Sequence, residues 1–203
     1  MLTIFKMEIY LLRHAVSTSN EKKLVCGASD FPLSETGHQQ ASRICTALNE
    51  IKFTRIYSSP LKRALQTIEK LKINIKIKIE PELIELDTGK YSDLTVDELF
   101  KLDQRYRYQG LNPNVRYPGG ECLEDMIIRL SNWYQMRSPN WEKDDVILVS
   151  GHEGTVCGLL HYLLQLKLSH YPTFVIGNCD YMKISINEDG QIRYRFFSFE
   201  NLK

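Results

Sequence analysis

The segment Ile9-Tyr10-Leu11-Leu12-Arg13-His14-Ala15-Val16-Ser17-Thr18-Ser19-Asn20 joins an apolar run to an arginine–histidine pair and then to a Ser/Thr/Asn loop. A continuous apolar run of this kind reads as a strand buried on both faces, as in parallel sheets. Open α/β sheets collect chemistry at the carboxyl ends of such strands, where the chain hands over to a polar loop. The expected first strand is therefore Glu8 to Arg13, with His14 just past its end. Taken alone, the pair equally suits a strand cap beside a hydrogen-bonded histidine, so the remaining segments decide.

The same handover recurs. Thr54 to Ser58 is a short β-branched run that breaks at Ser58-Ser59-Pro60, and Leu61 to Ile68 continues at helical spacing. Proline is favourable near a first helical position, which places Arg63 in the first turn of that helix. Val146-Ile147-Leu148-Val149 is another buried strand, followed by Ser150-Gly151-His152-Glu153-Gly154 and a helix from Thr155 to Leu166. Ser34 reads as the N-cap of a helix running to Leu48. Ile73, Ile75, Ile77 and Ile79 alternate with polar residues and predict an outer strand ended by Pro81. Glu85 stands between Ile84 and Leu86 in an apolar frame. Glu121 to Arg137 is amphipathic, and Tyr181–Ile186 with Ile192–Phe199 forms a hairpin about Asp189-Gly190. Between them, about 88–120, lie a short helix near Thr95–Leu102, the tract Arg105-Tyr106-Arg107-Tyr108 and a Pro/Gly-rich link, expected as a flap over a pocket. The alternation of strands and helices predicts an α/β fold, a mostly parallel central sheet flanked by helices. Its length suits one domain, residues 1–203.

Composition bounds the partners. With 26 basic and 25 acidic residues the net charge is +1, so nothing calls for nucleic acid or an anionic membrane. The five scattered cysteines lack a CxxC pair, which argues against a disulfide framework and a cysteine zinc site. Lys6 and Glu8 interrupt the N-terminus before a signal-peptide core forms, and no stretch reaches about 18 uninterrupted apolar residues. A soluble cytoplasmic protein, monomer or homodimer, is expected.

Arg13, His14, Arg63 and His152 would converge on one sheet edge. Four cationic or cation-capable groups suit a dianion, because guanidinium donors match phosphate oxygens. With no P-loop and too few acids for a two-metal site, a histidine is left as candidate nucleophile.

Arg13-His14 with Asn20, the block from Gly27 through Asp30-Phe31-Pro32-Leu33-Ser34 to Gly37, Ser58-Ser59-Pro60-Leu61 with Arg63-Ala64, Leu83 with Glu85 and Gly89, Pro118-Gly119-Gly120-Glu121 with Arg129, and Val149-Ser150-Gly151-His152 occur in one order. In that order they resemble the histidine phosphatase, or phosphoglycerate mutase-like, superfamily. The blocks about Glu85 and Pro118 are similar to its phosphatase branch, including fructose-2,6-bisphosphatase, α-ribazole phosphatase and metal-independent phosphoserine phosphatase members. The resemblance implies a three-layer fold and a metal-independent phosphomonoester hydrolase that needs no cofactor and acts on a small phosphorylated metabolite. It implies that His14 becomes a phosphohistidine, that Arg13, Asn20, Arg63 and His152 hold the phosphate, and that Glu85 donates and accepts the proton. A cofactor-dependent phosphoglycerate mutase and a non-catalytic phospho-ligand binding protein are the alternatives. Three positions depart from the pattern: Ala15 stands for glycine, Val16 for glutamate, and Glu153 for a small residue. The last two are expected near the substrate.

Overall fold

The opening apolar run forms strand β1 (Phe5–Arg13) in the interior of a six-stranded sheet. The computed structural model describes residues 5–202, without the side chains at 5, 6, 108 and 109, so the start of the N-terminal segment and the Tyr108 side chain lie outside the described residues. The other strands of this sheet are β3 (Arg55–Ser58), β4 (Ile77–Ile79), β6 (Val146–Gly151), β7 (Tyr181–Asn187) and β8 (Ile192–Phe197), in the order β4-β3-β6-β1-β7-β8. The pairs β4–β3, β3–β6 and β6–β1 are parallel, and β7 and β8 close the sheet antiparallel, as the hairpin pattern predicted. Gly190, at a φ of 77°, takes the left-handed turn position that a side chain would strain.

Successive residues of β1 serve opposite cores. Ile9 and Leu11 pack with Ile147, Val149, Met126, Leu130, Trp133 and Val156. Tyr10 and Leu12 pack with Leu148, Ile56, Ala41, Ile44, Leu48 and Ile68. A strand with a core on each face has no side to spare for polar residues, which explains the unbroken apolar run. Helices α5 (Leu123–Arg137) and α6 (Glu153–Leu163) cover the first face, α2 (Glu35–Leu48) and α3 (Lys62–Ile68) the second, giving three layers. Ser34 caps α2, its hydroxyl accepting from the Gly37 amide at 3.1 Å.

Three differences from expectation have physical causes. The outer strand is only Ile77–Ile79, because its partner β3 begins at Arg55, opposite Lys76 in this register, and offers no ladder to Ile73 or Ile75. Ile73 and Ile75 keep the alternation and still pack against the second core. Helix α6 begins at Glu153 rather than Thr155, since His152 leaves β6 in extended conformation and becomes the N-cap. The loop after His14 holds a short helix, α1 (Thr18–Glu21), capped by Ser17, and a ribbon of β2 (Leu24–Val25) with β5 (Leu94–Thr95). That ribbon ties the 88–120 segment, including α4 (Val96–Leu102), to the loop beyond His14. No helix of the described residues is long and apolar enough to cross a membrane.

Candidate active site

Strands β1, β3 and β6 run parallel and end level, with Arg13 opposite Gly151 and Ser58 opposite Ser150. Their carboxyl ends therefore deliver Arg13-His14, Ser59 and His152 to one place. A cavity of about 350 Å³ opens there, and Arg13, His14, Asn20, Arg63 and Glu85 line it. That volume lies in the usual range for small ligands.

His14 is 4% exposed, and its Nδ1 lies 2.7 Å from the Ala15 carbonyl oxygen. A carbonyl can only accept, so Nδ1 carries the proton and Nε2 keeps its lone pair. Burial is the largest cause that holds the His14 pKa well below its usual 6.5, followed by the guanidiniums of Arg63 and Arg13. The ring of His152 lies with its centroid 5.2 Å from that of His14. Arg63 Nε donates to His152 Nδ1 at 3.2 Å, which leaves the proton on His152 Nε2, donated to Ser59 Oγ at 2.8 Å. His152 is fully buried and stands behind the cavity wall rather than on it.

Arg63 is also fully buried, a costly position for a charge unless its donors are met. Besides His152, its Nη1 donates to the Ser29 carbonyl at 2.6 Å and its Nη2 to the Gly27 carbonyl at 2.8 Å. Three of the five guanidinium N–H groups are so used, leaving two for a ligand. Arg13 Nη1 bonds the Ile176 carbonyl and pairs with Glu153 at 2.9 Å, while its buried Nε has no hydrogen-bond partner among the described residues. Asn20 Oδ1 accepts from the Ser17 amide at 3.0 Å and the Ser17 hydroxyl at 2.9 Å, which leaves its Nδ2 donors for the cavity.

Glu85 is not caged by apolar groups as expected. Its Oε1 accepts from the Leu86 amide at 2.7 Å and its Oε2 from the Gly154 amide at 3.1 Å. A Cβ on Gly154 would fall 2.0 Å from Glu85 Oε1, so only glycine lets the carboxylate sit on this helix start. Gly154→Ala is expected to fold normally, because only the far end of a flexible side chain must move. It is expected to lose about 10- to 100-fold in turnover by misplacing Glu85. Steady-state kinetics with a thermal melt check both halves.

The departures resolve differently. Ala15 is buried, its amide donates to Thr67 Oγ1 at 2.9 Å, and its φ is not positive, so no glycine is required. Val16 does not line the cavity; its carbonyl accepts from the Ser34 amide at 3.0 Å and anchors α2. Glu153 does line it, and burial raises its pKa against the opposing pull of Arg13. Tyr106, Arg107 and Tyr117 of the 88–120 segment also face the cavity, with Tyr106 stacked on Tyr117 at 4.1 Å. Arg105 and Arg116 instead pair with Asp103 and Asp125. Sequence reading assigned Ser59 and Thr67 no role beside the histidine sites; Ser59 entered only as part of the block before Arg63, and Thr67 only as part of the helix after it.

His152, like His14, is held well below 6.5 by burial first and Arg63 second. In the unfolded chain both histidines take up a proton near 6.5, whereas the folded protein resists it. Their contribution to stability is thus complete above 6.5 and is lost as pH falls below it towards the folded pKa values. Denaturant melts should show stability declining below pH 6.5, and imidazole ¹⁵N shifts should show both rings neutral at that pH.

A family model described as histidine phosphatase superfamily (branch 1) matches residues 9–197. Phosphoserine phosphatase 1 of Hydrogenobacter thermophilus is 30% identical over 188 residues, 90% of this chain and 88% of that one. A protein named probable phosphoglycerate mutase from Photorhabdus laumondii is 31% identical over 61% of this chain and 60% of its own. Among solved structures, mycobacterial glucosyl-3-phosphoglycerate phosphatase in complex with VO3 superposes at a TM-score of 0.79 with 26% identity, covering 94% of this chain and 96% of that one. The α-ribazole phosphatase of Shigella flexneri reaches 0.82 at 23% identity, over 95% and 97%, and speaks for the fold alone.

Proposed function

We propose, from the premise that this chain belongs to the histidine phosphatase superfamily (branch 1) and is a phosphoric monoester hydrolase, that it dephosphorylates a small metabolite through a phosphohistidine on His14. The observation that carries this reading is the His14 ring, fixed by the Ala15 carbonyl with Nε2 unprotonated in a cavity flanked by two arginines. His14 Nε2 attacks phosphorus as the ester oxygen departs. Arg13, the free N–H groups of Arg63 and Asn20 Nδ2 hold the non-bridging oxygens, where charge gathers in the transition state. The unpartnered Arg13 Nε gains an acceptor in this way. His152 orients Arg63 and takes part in phosphate binding from behind it. Glu85 protonates the leaving alcohol, then removes a proton from the water that releases phosphate. The cations that neutralise the phosphate are side chains, so no metal or cofactor has a step to perform.

The 88–120 segment serves as the flap, and Tyr106, Arg107 and Tyr117 contact whatever the phosphate is attached to. Relatives acting on phosphoserine and glucosyl-3-phosphoglycerate support a small phosphorylated metabolite as substrate. The Photorhabdus relative supports phosphoglycerate mutase as a second reading. Purified protein should hydrolyse p-nitrophenyl phosphate at an undiminished rate in EDTA, and a panel of phosphorylated metabolites ranked by kcat/KM should identify the preferred class. Loss of activity in EDTA with recovery on adding magnesium would overturn the hydrolase mechanism. Faster conversion of 3-phosphoglycerate to its isomer with bisphosphate primer than any hydrolysis would establish the mutase.

A further inference from the structure

The segment that bears Glu85 belongs to no strand or long helix, yet it must place a carboxylate to within a fraction of an ångström. Two residues remote from the cavity surface fix it. Arg129, on α5, meets Glu121 in a two-pronged pair, Nε to Oε1 at 2.8 Å and Nη2 to Oε2 at 2.7 Å. The third guanidinium nitrogen, Nη1, donates to the carbonyls of Glu82 at 2.5 Å and Ile84 at 3.2 Å, both just before Glu85. Glu121 Oε2 accepts from the Asp87 amide at 3.1 Å, just after Glu85, and the Glu121 amide donates to the Asp87 carbonyl at 2.8 Å. The ion pair therefore grips the main chain on both sides of the acid. Its side chains are 18% and 20% exposed, enough burial for the fork geometry to be held rather than exchanged with water. Neither residue lines the cavity, so neither touches substrate.

We infer that Arg129 and Glu121 are positioning residues for proton transfer, acting through Glu85 and not on the phosphate. The inference rests on the reading of Glu85 as the acid. An arginine is needed because only a planar fork bonds a carboxylate with two nitrogens and a pair of carbonyls with the third; lysine offers a single point charge.

The test uses leaving groups. In kcat/KM, which reports transfer to His14, an aryl ester such as p-nitrophenyl phosphate departs without a proton, whereas an alkyl ester such as β-glycerophosphate requires one. Arg129→Met in the full chain is expected to lower kcat/KM for the alkyl ester at least about tenfold more than for the aryl ester, and Arg129→Lys to lose an intermediate amount. Glu85→Gln should show the same selective loss, and adding Arg129→Met to it should produce no further selectivity, because both act on one step. If Arg129→Met or the milder Arg129→Lys lowers both esters equally while Glu85→Gln remains selective, Arg129 only supports the fold and the inference is wrong. If Glu85→Gln is itself unselective, the assignment of the acid fails first and takes the inference with it.

Discussion

His14→Ala is expected to reduce phosphomonoester hydrolysis by about 10⁴-fold or more, the scale seen when a covalent nucleophile is removed. The remaining cavity still presents two guanidiniums, so phosphate binding should outlast catalysis. Alanine keeps the main chain at this position, whose amide bonds the Gly151 carbonyl at 2.9 Å and whose carbonyl accepts from Asn178 Nδ2 at 2.9 Å. The variant should therefore remain folded, and circular dichroism beside the kinetic assay separates loss of chemistry from loss of structure. Residual turnover within tenfold of the wild type would mean that another group attacks phosphorus.

Glu85→Gln is expected to cost about 10²- to 10³-fold in kcat/KM for an alkyl phosphate, the usual worth of a placed general acid. The amide is nearly isosteric and its one oxygen can accept from the Leu86 or the Gly154 amide, while its NH2 can accept from neither, so the transferable proton is lost together with one main-chain contact and a thermal melt accompanies the kinetics. For an aryl phosphate kcat/KM should change little, but kcat should fall, because water attack on the phosphoenzyme also needs Glu85. Stopped-flow traces with p-nitrophenyl phosphate should then show a burst of phenolate followed by a slow steady state. A uniform loss on both ester types, with no burst, would remove Glu85 from proton transfer.

The site was legible in the sequence to the extent that its residues sit at strand ends. Arg13, His14, Arg63 and His152 follow or flank apolar runs, and a parallel sheet buried on both faces must bring such ends together. What escaped was set by partners distant along the chain. Ser59 stands 93 residues from His152 and Thr67 52 residues from Ala15, and neither separation leaves a local pattern. The length of β4 escaped for a similar reason: period-two alternation reports which side chains face inward, but ladder length is fixed by the neighbouring strand. The surroundings of Glu85 were misjudged because its flanking residues are apolar while its carboxylate turns to two main-chain amides. Val16 is expected near substrate from its place in the family pattern, yet the chain has left β1 by this point and turns to seat the Val16 carbonyl on the Ser34 amide at the start of α2.

The kinetic predictions for His14 and Glu85 lean on one covalent event, which can be observed directly. Glu85→Gln protein mixed with ³²P-labelled substrate, quenched in alkali within the burst and digested, should yield a single acid-labile, base-stable phosphopeptide that contains His14. The same treatment of the His14→Ala variant should yield none. Turnover by the wild type with no label retained in either variant, or label on a peptide lacking His14, would contradict the phosphohistidine mechanism.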